Sequence, residues 1–393
     1  MKTMQLHRTI RCALLPGLLG GLGVMSSYGQ FTFQSGSDGT YGPMNITSNT
    51  TLALPPDGIF RCMTITVASN ATLAFITNAL NTPVYLLATN DVTINGAIDV
   101  SGSLGTASLG GAGGPGGFAG GNPPDAWGFP AGDGHGPGAG RGGNGASVGS
   151  AGYGTGGAGS SISTNNGTTY GSPLLVPLVG GSGGGGRSDG RAGAGGGGAL
   201  LIASNTRIDV RGTISAMSPD FNNNANAWGL GSGGAIRLAA PVVAGAGTLN
   251  AAGGRNGAGA GSGGVGRVRI DCMDHRALAL NCTPAASIGA NMVAIPANLP
   301  RLDITQAGSN NIPVGANAPV FFYLAQGSST NQTVTVQASN FGSLVPIRVV
   351  LTPDNGPSSS YDTDIDNTVS PASVIVPVVV PVNVQVHVNA WTR

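Results

Sequence analysis

Residues 83–102 read PVYLLATNDVTINGAIDVSG, and the same design returns as GALLIASNTRIDVRGTISAMS at 198–218 and GAIRLAAPVVAGAGTLNAAGG at 234–254. Each copy is read as an apolar strand (YLLAT, LLIAS, IRLAA), a polar turn, a second short strand, a glycine and an alternating closing segment (AIDV, TISA, TLNA). With one residue of slack Leu87, Ile202 and Leu238 superimpose, as do Ile98, Ile214 and Leu249. A strand–turn–strand unit cannot bury its apolar face alone, whereas stacked copies can, so the repeat predicts a solenoid. The alternating residues Ile65, Val67, Leu73 and Phe75 in CMTITVASNATLAFIT supply an earlier rung. Inward positions such as Val92, Ile94, Ile208 and Val210 then form the core, each worth about 1.5–3 kcal/mol when fully buried. Arg207, Asp209, Arg211, Arg237, Arg267 and Arg269 fall on the outward side.

Composition excludes much else. The chain holds 70 Gly, its 16 acidic residues are all Asp, and its single Lys is Lys2. Without Glu or Lys, two good helix formers are missing, and an all-β chain is expected. Only 8% of residues are charged and the net charge is +1. No basic footprint for nucleic acid is present.

Lys2, Arg8 and Arg11 precede an apolar run from Ala13 to Met25, and Ser27-Tyr28-Gly29 offers small residues before Gln30. This is the layout of a secretory signal peptide over 1–29, and the run is too short for a transmembrane helix. Residues 30–283 are then read as the solenoid, with a glycine-rich insertion at 103–196. Within it, GGA-GGP-GGF-AGG has the three-residue period of a polyproline II-type helix. The glycine runs at 180–198 and 253–266 each end on a strand, which favours ordered, polyglycine-like loops over a disordered linker. Residues 284–300 read as a linker. From Arg301 short strands recur between turn signals such as Asp354-Asn355-Gly356-Pro357, predicting an immunoglobulin-like β-sandwich over 301–393.

The segments ITVASNATLAF, DVTINGAIDVSG, GGALLIASNTRIDVRGTISA and GGAIRLAAP…GTLNAAGG resemble those of bacterial secreted glycine-rich surface proteins with parallel β-helix repeats. The resemblance spans about residues 60–270 and is one of pattern. It implies a parallel β-helix and a structural, adhesive or matrix-type extracellular role, often without a known ligand; extracellular polysaccharide or other surface proteins are the partners expected for such a role. Parallel β-helices also include polysaccharide lyases and hydrolases, so a carbohydrate-active protein is the alternative.

Catalytic candidates are weak. Asp209 and Asp271 each stand among arginines, which suits ion pairs on a strand face as well as catalysis. Asp133-Gly134-His135 and Asp274-His275 pair an acid with a histidine but lack a nucleophile motif. His387 alternates with valines and reads as an outward, solvated residue. The run from Asp362 through Asp364 to Asp366 starts like a calcium loop but lacks its turn Gly and closing Glu. No catalytic residue, metal site or cofactor is therefore expected. Cys272 and Cys282 bracket a short loop and are the disulfide candidate, leaving Cys62 free or paired between molecules. Trp127 and Trp228, both in Gly/Asn-rich loops, either contact a glycan together or plug their own loops.

Overall fold

A computed structural model describes residues 32–124, 130–221, 229–257, 261–316 and 318–392. It is all-β, with 41% strand and 2% helix. The parallel part begins with β1 (Gly42–Ile46), β2 (Thr50–Ala53), β3 (Ile59–Val67) and β4 (Thr72–Ile76). The first repeat supplies β5 (Val84–Ala88), β6 (Val92–Ile94) and β7 (Ala97–Asp99). The second supplies β8 (Ala199–Ser204), β9 (Arg207–Val210) and β10 (Thr213–Ser215). The third contributes only the long β11 (Ala235–Ala244) and β12 (Thr248–Asn250). After it come β13 (Arg267–Asp274), β14 (Asn281–Thr283) and β15 (Ser287–Gly289).

The closing segments stack in register. Ile214 pairs with Ile98 on one side and Leu249 on the other, and Leu73 extends the row beyond Ile98. All four side chains have 0% exposure. The six-stranded sheet that carries them runs β14-β12-β10-β7-β4-β2. In the opposing nine-stranded sheet Leu86, not Leu87, shares its row with Ile202 and Leu238. Leu87 points to the other side, where it is buried with Phe33, Tyr153, Leu175 and Leu201. This wall is covered on both faces, which is why ALLIAS of β8 is buried throughout.

The nine-stranded sheet also overturns the expected solenoid. The first half of β3 pairs with β5 and its second half with β6. Likewise β11 pairs first with β8 and then with β9. With β5–β8 and β6–β9 also paired, the ladder returns on itself as a closed barrel of six parallel strands. The physical reason lies in the third copy. Where its predecessors carry the polar turns Thr89-Asn90-Asp91 and Asn205-Thr206, it has Ala240-Pro241-Val242, and the strand runs straight on. The chain is therefore not a parallel β-helix; it combines parallel sheets with a closed parallel barrel.

Residues 110–121, 132–143, 149–157, 180–186, 193–198 and 229–234 form a bundle without strands. Amides three residues apart bond to the same neighbour. Gly181 and Gly184 donate to the carbonyls of Gly197 and Ala194, while Gly183 and Gly186 donate to those of His135 and Gly132. The carbonyls of Gly181 and Gly184 accept from Phe118 and Gly121. Three-residue periodicity is that of a polyproline II-type helix, which has no internal bonds and so offers its backbone to neighbours. Close approach requires glycine: a Cβ on Gly183 would meet the Ala119 carbonyl, and one on Gly234 the Gly198 carbonyl.

The C-terminal region holds β16 (Arg301–Ala307), β17 (Asn310–Asn311), β18 (Val320–Tyr323), β19 (Asn331–Ser339), β20 (Leu344–Pro353), β21 (Ser359–Asp366), β22 (Ala372–Val379) and β23 (Gln385–Thr392). They form two four-stranded antiparallel sheets, β17-β16-β19-β22 and β18-β23-β20-β21, over a shared valine-rich core. The immunoglobulin plan sends two strands back into the second sheet after the strand corresponding to β22. Here only β23 follows, and β18 takes the place beside it. The expectation of an immunoglobulin-like sandwich is corrected accordingly. Both regions belong to one compact unit from Phe33 onward.

Candidate functional site: a groove between the glycine bundle and the C-terminal sheet

Strict alternation sets the face of the C-terminal sheet. In β20 Val345, Ile347, Val349 and Leu351 turn into the core, leaving Arg348, Val350 and Thr352 on the other side. In β23 Val386 and Val388 turn inward and His387, Asn389 and Trp391 outward. Register sets Arg348 between Trp391 and Asp362, and Val350 between Asn389 and Ser360.

Part of this outer face is docked on the glycine bundle. The Trp391 ring meets Phe118 edge-on at 5.5 Å, and the His387 ring meets His135 at 5.2 Å. Asp133, 3% exposed, accepts the Gly142 amide on Oδ1 at 2.7 Å. Its Oδ2 accepts the Ser358 amide and hydroxyl. Burial, then the neighbouring His387, pulls the His135 pKa down to about 4. The Nε2 of His387 lies 3.1 Å from Asp354 Oδ1.

The rest of the face is the floor of a groove of about 210 Å³, walled by residues 133–141 and 164–168. This is smaller than sites that enclose a drug-sized ligand. Its walls are braced: Asn165 donates to the Ser147 carbonyl at 2.6 Å, and Asn166 accepts the Ser150 amide at 3.1 Å. The Arg141 guanidinium and the hydroxyls of Thr164, Thr168 and Ser360 are exposed at its edge. None of these four side chains makes a hydrogen bond or ion pair among the described residues.

The residues singled out from sequence are elsewhere. Asp209 is held by Arg211 at 3.1 Å and Arg207 at 3.7 Å. Asp271, with 0% exposure, is bonded by Arg237 at 3.0 Å, Arg269 at 2.6 Å and the Asn291 amide at 2.9 Å. Arg237, on the outward side of its strand, is buried because residues 291–293 cover it, and two of its bonds go to the Asn291 and Val293 carbonyls. Burial lowers its pKa while Asp271 opposes the shift. Arg267 turns away from Asp271, to the Tyr170 carbonyl and the Tyr153 ring. Bonding to Arg276 holds the Asp274 carboxyl well below the usual range.

Asp362, Asp364 and Asp366 lie along β21, an extended strand, so they do not form a loop around an ion. Among the described residues no group of acidic, His or Cys side chains converges to hold a metal. Cys272 and Cys282 are not bridged: they sit on β13 and β14, in different sheets, as free thiols, and Cys62 is a third. Burial raises all three, Cys62 to about 12. Trp127 and Trp228 lie outside the described residues.

Sequence reasoning missed the groove. Its one legible signal is the alternation of IRVVLTP and VHVNAW, which exposes Arg348 and Trp391 on one face. No family model, curated protein or solved structure matches the chain. Among the described residues no helix is long and apolar enough to cross a membrane.

Proposed function

We propose that this chain is an exported, non-enzymatic protein of the cell surface or extracellular matrix, acting as a scaffold or adhesin. The observation that carries the reading is the state of the groove's carboxylate. Among the described residues Asp133 is the only acidic one in its lining, and it is almost fully buried with both oxygens bonded to protein donors. Glycoside hydrolysis ordinarily needs two accessible carboxyl groups flanking the bond. Asp209 and Asp271, the alternatives elsewhere, are held by arginines. A groove with exposed hydrogen-bonding groups and a sealed acid is suited to holding a ligand rather than cleaving one. The signal-like N-terminus and the low charge agree with export.

The test is incubation of the purified chain with neutral and acidic polysaccharides, following both reducing ends and the ultraviolet absorbance of lyase products. Retention of the chain on the polymers without either product is the expected result. Turnover abolished by Asp209→Asn or Asp271→Asn would overturn the reading.

A further inference from the structure

The groove has the chemistry of a particular ligand class. Its floor carries an indole, Trp391, half-buried and fixed in place by Phe118. An aromatic ring in a cleft offers a flat apolar surface to a ligand that is apolar on one side. Around it stand the exposed hydroxyls of Thr164, Thr168 and Ser360, each able to donate and accept. Arg141 adds a planar fork of donors that no acidic residue among the described ones occupies.

Charge decides between neutral and anionic ligands. Arg348 is neutralised by Asp362, with Nε–Oδ1 at 2.6 Å and a second bond at 2.8 Å. The positive charge of Arg141 is offset within the same lining by the buried carboxylate of Asp133. An anionic ligand would need a surplus of positive charge that the described residues of this lining lack.

We propose that the groove bounded by Arg141, Thr168, Ser360 and Trp391 is a binding subsite for a neutral, hydroxyl-rich saccharide. The inference rests on the non-enzymatic reading above and names its ligand class. The saccharide lays one face of a sugar ring toward Trp391, and its hydroxyls exchange hydrogen bonds with the threonine and serine side chains. Arg141 closes the open side, donating to adjacent sugar oxygens.

The experiment is calorimetric titration of the full chain at pH 7 with cellohexaose, maltohexaose, mannohexaose and hexagalacturonate. Saturable binding of at least one neutral hexamer is expected, weakened at least tenfold by Arg141→Ala and several-fold by Ser360→Ala. Both positions are exposed, and both variants should unfold at the wild-type midpoint. Trp391→Phe, which keeps an aromatic ring against Phe118, should remove any ligand-induced change in tryptophan emission. Binding of hexagalacturonate alone, no binding at 10-millimolar scale, or binding indifferent to both Arg141→Ala and Ser360→Ala would each overturn the subsite. Release of reducing ends would instead overturn the non-enzymatic reading, so the two failures are distinguishable.

Discussion

Asp133 accepts the Ser358 hydroxyl at 2.6 Å and the Ser358 amide at 2.9 Å, joining the glycine bundle to the C-terminal sheet across 225 residues of chain. Hydrogen bonds to a charged, buried acceptor contribute about 1.5–3 kcal/mol each, and stranding their partners costs more than the bonds themselves. Asp133→Ala should lower the stability of the chain by about 2–4 kcal/mol. Urea unfolding should also separate into two transitions, with faster proteolysis between residues 296 and 300. A single transition at the wild-type midpoint would show that this contact does not hold the two regions together.

The same seam should weaken in acid. The folded pKa of His135, about 4, lies below its ordinary value of 6.5. The unfolded chain therefore binds the proton first, so stability is full above pH 6.5, falls through the interval to pH 4, and levels off below it. The groups at this contact are His387 and, behind it, Asp354. The loss attributable to His135 is on the order of 3 kcal/mol. Urea midpoints measured from pH 7 to pH 4 should decline in the wild type and decline less in His135→Gln.

Crowding of the glycine bundle predicts a sharp contrast between two alanine substitutions. Gly183→Ala would drive a Cβ into the Ala119 carbonyl, whereas Gly342 has nothing within 4 Å of the same position. Displacing a packed backbone is costly, so Gly183→Ala should lose about 3 kcal/mol or more, and Gly342→Ala less than about 1 kcal/mol. Thermal midpoints of the two variants measure the difference.

Ile214→Ala removes the middle of the row formed by Leu73, Ile98 and Leu249 and should cost about 2–5 kcal/mol. Leu87→Ala should cost a similar amount through the second cluster, beneath Tyr153 and Leu175. Denaturant titration of the two single mutants and the double mutant should give nearly additive losses, since they belong to separate clusters.

These two residues also mark how far the repeat could be read. Ile98, Ile214 and Leu249 pair as their shared alternation indicates, because a strand with one buried face allows no slip. In YLLAT and LLIAS both faces are buried, alternation disappears, and the choice between Leu86 and Leu87 has no pattern to rest on. Closure of the larger sheet was hidden for a related reason: Ala240-Pro241-Val242 resembles a turn in sequence but continues β11. The groove was less legible still. Its walls come from loops near 135 and 166 and its floor from β20, β21 and β23, and no local motif announces that these will meet.

Pro377 sits within β22, which pairs with β19 on one side only. A proline fits such a ladder where its nitrogen points off the sheet, and there it blocks another strand from pairing. Ile375 and Val379 flank it, 64% and 54% exposed. Pro377→Val should keep the fold and raise self-association, read as a concentration-dependent rise in mass by light scattering.

The glycine bundle gives the molecule two regions that respond differently to heat. Unfolding a valine-rich core exposes apolar surface and raises the heat capacity, whereas exposing peptide groups lowers it. A bundle built from backbone bonds contributes mostly the second kind of surface. The heat-capacity increment per residue should therefore be smaller than for an ordinary globular protein of this length, giving a flatter curve of stability against temperature.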